Sequence, residues 1–88
     1  MRMVKVIGSV TSTIKDADLR GFKLLFVQAV DVNLEPKNEY FIAVDTVGLG
    51  EGEIGLIVTG STAKLTDMTR GKTSDTTIVA KVERIDLT

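Results

Sequence analysis

The sequence predicts a small all-β domain, a closed five-stranded barrel with one short helix. Three observations predict it. Five runs rich in β-branched and other apolar residues are separated by glycine-, proline- or polar-rich connections. Only one stretch, Gly60 to Thr66, offers a helix start; Ser61 is its N-cap, and it holds two turns at most. The 88 residues make a single domain, and closing so small a sheet into a barrel removes the unpaired edges it would otherwise expose.

The elements follow in order. The first strand spans Met3 to Ile14, and Gly8 within it marks a bulge or bend of the kind a barrel strand needs. Lys15 to Gly21 is a polar connection; Asp16 and Asp18 in it lack the continuation of a calcium loop. The second strand, Lys23 to Val32, puts Leu24, Phe26, Gln28 and Val30 on one face and Leu25, Val27 and Ala29 on the other. Both faces are largely apolar, which fits burial on both sides or at an interface. Asn33 to Asn38, with the only proline, Pro36, is a turn. Tyr40 to Val44 is the third strand, Ile54 to Thr59 the fourth, and Thr77 to Ile85 the fifth, reached through a polar loop at Asp67 to Ser74. The best match is the five-stranded Greek-key barrel of the OB type, although that architecture usually carries its helix between strands three and four.

The connection between the third and fourth strands holds Gly48, Gly50 and Gly52 and resembles a phosphate loop at first sight. A phosphate loop needs free backbone N–H groups, a helix behind them and usually a lysine. Here Glu51 and Glu53 put negative charge where an anion would bind, and a strand follows. The expected geometry is a hairpin-type connection in which Gly48 and Gly50 supply φ > 0. The Asp45 carboxylate is expected to accept N–H bonds from the Gly48–Gly50 turn. The alternatives are a cross-subunit hydrogen bond from Asp45 and a loop where backbones of neighbouring copies approach closely.

Composition narrows the chemistry. There is no cysteine and no histidine. Disulfides, thiolate metal sites and imidazole bases are therefore absent from this sequence. Ser61 has neither a histidine nor a nucleophile elbow to activate it. Eleven basic residues stand against twelve acidic ones, and the aromatics are Phe22, Phe26, Tyr40 and Phe41. A basic patch with stacking aromatics is what nucleic-acid binding needs, and this chain offers neither. No apolar run approaches the ~20 residues of a membrane helix. Met1 to Ile7 lacks the apolar core of a signal peptide, so cytoplasmic residence is the expectation. Mean hydropathy is +0.19. A small core with apolar excess points to burial between subunits.

Four segments carry a resemblance. They are Gly8-Ser9-Val10-Thr11-Ser12-Thr13-x-Lys15 with Leu19-x-Gly21-x-Lys23-Leu24-Leu25; Ala43 through Gly50; Val58-Thr59-Gly60-Ser61-Thr62-Ala63-Lys64; and Asp75 through Val82. Together, in order and spacing, they resemble the pentameric vertex proteins of bacterial microcompartment shells, the carboxysome and ethanolamine-utilisation vertex family. Leu49 stands where that family usually has Ala, Lys64 where it has Arg, and Thr73 where it has Pro. The resemblance implies a homopentamer that closes the fivefold corners of a polyhedral shell in the bacterial cytoplasm. It implies no catalytic site and no metal or other cofactor. The expected partners are further copies of the chain and hexameric shell proteins, with no nucleic acid and no membrane. Asp45, Thr46, Gly48, Leu49, Gly50, Ser61 and Lys64 are its expected residues at the central axis or subunit interface. On the residues alone, Lys64 is a solvated or salt-bridging lysine, and as an interface group it lacks the bidentate fork of Arg. Two other classes remain for comparison. An OB-type ligand- or nucleic-acid-binding module would need a basic, aromatic strand face. A small carboxylate or metal enzyme would need a converging acidic cluster.

Overall fold

A computed structural model describes residues 1–11, 21–59 and 76–88. The five strands are β1 (Arg2–Val10), β2 (Lys23–Val30), β3 (Pro36–Asp45), β4 (Ile54–Thr59) and β5 (Thr76–Val82). They close into a barrel in the cyclic order β1-β2-β3-β5-β4. All pairings are antiparallel except β3 with β5, which is parallel and joins Val44 to Thr77 and Asp45 to Ile78. The all-β barrel expected from the sequence is the one observed. The expected helix at 60–66, its cap Ser61, Lys64 and the loop at 67–74 lie outside the described residues.

Side-chain alternation along each strand fills the interior with branched residues. Val4 and Val6 of β1, Leu25 and Val27 of β2, Ala43 of β3, Ile57 of β4 and Ile78 of β5 form the core cluster with Leu49. The β2 face carrying Leu25, Val27 and Ala29 is thus the inner one, and Phe26 points out. Gly8 sits at a register shift: Val6 pairs with Val27 and Gly8 with Phe26, so β1 bulges there as expected. At the opposite end of β1, Arg2 reaches residues of β3. Its Nη1 donates to Glu39 Oε2 at 2.7 Å, its Nη2 pairs with Glu39 Oε1, and its guanidinium lies 5.3 Å from the Phe41 ring centroid.

Several boundaries differ from expectation. β1 ends at Val10, so Thr11, expected inside the first strand, is already outside it, and residues 12–14 of that expected strand lie outside the described residues. The turn between β2 and β3 lies at Asp31–Glu35 rather than Asn33–Asn38, and β3 starts at Pro36, four residues early. Proline is tolerated as the first residue of a strand, where no ladder N–H is required of it. The turn closes on Asp31, whose Oδ1 accepts the N–H groups of Asn33 at 2.8 Å and Glu35 at 3.0 Å. Leu34 inside it has φ +64°, a left-handed conformation unusual for a residue with a side chain. The fifth strand ends at Val82, and residues 83–88 continue without strand pairing.

Candidate functional site: the loop between β3 and β4

Five of the seven expected site residues, Asp45, Thr46, Gly48, Leu49 and Gly50, come together in the loop after β3. Asp45 ends that strand and is buried. Its Oδ1 accepts the N–H groups of Val47 at 3.0 Å and Gly48 at 2.9 Å, and its Oδ2 accepts that of Leu49 at 2.9 Å. Bonds to an ionised carboxylate contribute about 1.5–3 kcal/mol each, more than neutral ones. The role expected for Asp45 is observed, but Gly50 is not among its partners. The Gly50 N–H donates to Glu53 Oε1 at 2.6 Å, and the Glu53 N–H returns to the Gly50 carbonyl at 3.1 Å. Thr46 Oγ1 donates to the Ile78 carbonyl at 2.6 Å and ties the loop to β5.

The loop is not a hairpin. β3 pairs with β2 and β5, and β4 with β1 and β5, so the connection crosses the end of the barrel. It docks on β1 instead: the Gly52 N–H donates to the Val6 carbonyl at 2.8 Å, and the Val6 N–H to the Glu53 carbonyl at 2.9 Å. Positive φ occurs at Gly48 and Gly52, both +84°, and not at Gly50 as expected. A side chain at Gly50 would meet only the end of Glu53, 3.3 Å away. The two turns the crossing requires fall at Gly48 and Gly52, which is why those glycines take the left-handed conformation.

Leu49 departs most from expectation. Its side chain is 1% exposed and belongs to the core of its own barrel. Gly55 makes its space: a Cβ there would lie 2.5 Å from Leu49 Cδ1 and 3.1 Å from the Ala80 carbonyl. Sequence reasoning also passed over Glu53 as a structural group. Its Oε2 pairs with Lys81 Nζ at 2.7 Å. The Lys81 ammonium, followed by the Gly50 N–H, holds the Glu53 carboxyl below the usual carboxylate range, and Glu53 raises Lys81 in return. The signal was a Glu three residues after a turn glycine, the spacing at which a side chain reaches back to a loop N–H.

Asp45 and Glu53 thus occupy the donor groups a phosphate would need. The N–H groups of Val47, Gly48, Leu49 and Gly50 all bind carboxylates of this chain. A glycine loop that supplies its own anions is a structural clasp. Val47, Gly48, Gly50, Glu51 and Gly52 are left exposed around it.

The profile of the family described as "Ethanolamine utilisation protein EutN/carboxysome" matches residues 1–83. The chain belongs to this EutN/carboxysome family. Its similarity runs almost end to end: it is 37% identical to the bacterial microcompartment shell vertex protein GrpN of Rhodospirillum rubrum, over 98% of this chain and 97% of GrpN. It is 34% identical to the carboxysome shell vertex protein CcmL of Synechocystis sp., over 99% of this chain and 87% of CcmL. The solved structure of GrpN, a pentameric microcompartment shell protein, superposes with a TM-score of 0.88 at 36% identity, covering all of both chains. A pentameric shell protein from the RMM microcompartment superposes at 0.79 with 27% identity, over 100% of this chain and 98% of that one.

Proposed function

We propose that this chain is a structural, non-enzymatic shell subunit that assembles as a homopentamer and caps the fivefold vertices of a bacterial microcompartment. The observation that carries the reading is its end-to-end similarity to named shell vertex proteins and to pentameric shell structures. The physical features support it. The loop that looks like a ligand site is closed by its own carboxylates. Among the described residues nine large hydrophobic side chains stand exposed, and Phe26, Tyr40 and Ile42 of them lie on neighbouring strands β2 and β3. In this reading the shell lies within the bacterial cytoplasm, and hexameric shell proteins surround each pentamer. The Asp45–Gly50 loop, with Ser61 and Lys64, faces the axis or the neighbouring subunit, and Leu49 acts there from inside by fixing the loop's height. Light scattering at micromolar concentration tests the ring. The expected mass is five times the 9.5 kDa of one chain, and a folded species with the mass of a single chain would refute it. Deleting the gene, with no paralogue present, tests the vertex role: elongated or open compartments are expected, and closed polyhedra at normal frequency would refute it.

A further inference from the structure

The barrel consists of two antiparallel units joined along two seams. β1, β2 and β3 form a meander, and β4 and β5 form a pair. The seam between β1 and β4 pairs Arg2, Met3, Val4 and Lys5 with Ile57, Leu56, Gly55 and Ile54. The β3–β4 loop lengthens it, because the Gly52 N–H and the Glu53 carbonyl both bond to Val6. The seam between β3 and β5 is shorter. Among the described residues it pairs only Val44 with Thr77 and Asp45 with Ile78. It is also parallel, a pairing slightly less stable per residue than the antiparallel ladders around it.

A side chain takes over where this ladder runs out. Thr46 follows Asp45, whose partner across the seam is Ile78, and the Thr46 hydroxyl donates to the Ile78 carbonyl at 2.6 Å. Ile78 is fully buried and Thr46 half-buried, so the bond is partly shielded from water and a lost donor there is costly. The hydroxyl is aimed by a preformed loop. The Asp45 carboxylate on one side of Thr46 holds the N–H groups of Val47, Gly48 and Leu49 on the other.

We propose that the seam between β3 and β5 is where this barrel opens, and that the Thr46 hydroxyl is its latch. In the open form β4 and β5 move together as a flap hinged on β1, and the core faces of Ile57 and Ile78 meet solvent. The opening is local, because the longer β1–β2 and β2–β3 ladders stay paired. Thr46 thereby acts within its own subunit, and the latch does not depend on the pentameric reading above.

Amide hydrogen exchange of the full chain, read by mass spectrometry of its fragments with light scattering alongside, tests the proposal. In wild type, amides of strand β5 are expected to exchange faster than those held between β1 and β2. Thr46→Val keeps the shape and removes the donor. It is expected to speed exchange in β5 and at the end of β3 by roughly two- to tenfold, the worth of one hydrogen bond, and to leave β1 and β2 unchanged. Thr46→Ser keeps the donor and is expected to restore the wild-type rates. Thr46→Ala replaces the valine variant should that fail to fold. Wild-type β5 amides as slow as those of β1 and β2, or a valine variant that speeds all strands equally or none, would overturn the latch. A valine variant that loses assembled mass while β5 exchange stays at the wild-type rate would also overturn it, and would place Thr46 in a contact between subunits. A wild type with the mass of one chain would remove the pentamer and leave the latch to be judged on the exchange rates alone.

Discussion

The β2–β3 turn and the β3–β4 loop are built on one device and turn it in opposite directions. Each begins with an aspartate at or just past a strand end, whose carboxylate gathers the N–H groups that follow: Asp31 takes two, Asp45 three. Each contains a left-handed residue and a leucine. In the β3–β4 loop the left-handed positions are glycines, Gly48 and Gly52, and the leucine, Leu49, is buried in the core. In the β2–β3 turn they are the same residue, Leu34, and it is exposed. The first loop seals the subunit; the second displays apolar surface to whatever lies outside it.

The largest expected break in this comparison comes from removing the two leucines. Leu49→Ala deletes a fully buried side chain and leaves a cavity, which costs roughly 2–5 kcal/mol, read as a lower urea midpoint. Leu34→Ala is a surface change and is expected to move barrel stability by no more than about 0.5 kcal/mol. Equal losses of stability in the two variants would erase the distinction. A smaller effect of opposite sign comes from the left-handed positions. Gly48→Val forces a β-branched residue to positive φ and is expected to lose roughly 1–3 kcal/mol. Leu34→Gly relieves the same strain and is expected to gain about 1 kcal/mol or less. Thermal melts of the two variants beside wild type separate the two.

Much of this was legible in the sequence because it is local. Gly-bounded Ile54–Thr59 matches β4 to the residue, and the Gly8 bulge is visible as a break in a β-branched run. The Asp45 clasp is visible because an aspartate before a glycine turn has few other partners. What escaped was non-local. Strand pairing decides that the glycine loop crosses the barrel and forms no hairpin, and no residue in the loop encodes which strands lie beside it. Leu49 is buried by that crossing, so its loop position gives no hint of core membership. β2 is apolar on both faces, so alternation does not say which face is inner. Pro36 reads as a turn residue because its missing N–H is tolerated equally in a turn and at a strand's first position. Of the candidate site, Ser61 and Lys64 lie outside the described residues, and the other five are contiguous with the clasp.

The smallest expected effect sharpens the sealed side of the comparison. Glu53 has its carboxyl lowered from the ordinary value of 4.5 by Lys81 and the Gly50 N–H. A lowered carboxyl contributes stability that is full above its ordinary value and lost as pH falls through the lowered one. Melting temperatures of wild type and Glu53→Gln should therefore differ slightly at neutral pH and converge in acid. Because the pair is exposed the difference is small, and a gap that persisted in acid would assign it to something other than this ion pair.

The seam between β3 and β5 is two rungs long and joins the middle of the sequence to the fifth strand. During synthesis the barrel therefore cannot shut until that strand has emerged, because β5 alone bridges β3 and β4. The order of the sequence thus works as a timer: the cyclic sheet stays open until its last strand is there to fill the gap between β3 and β4.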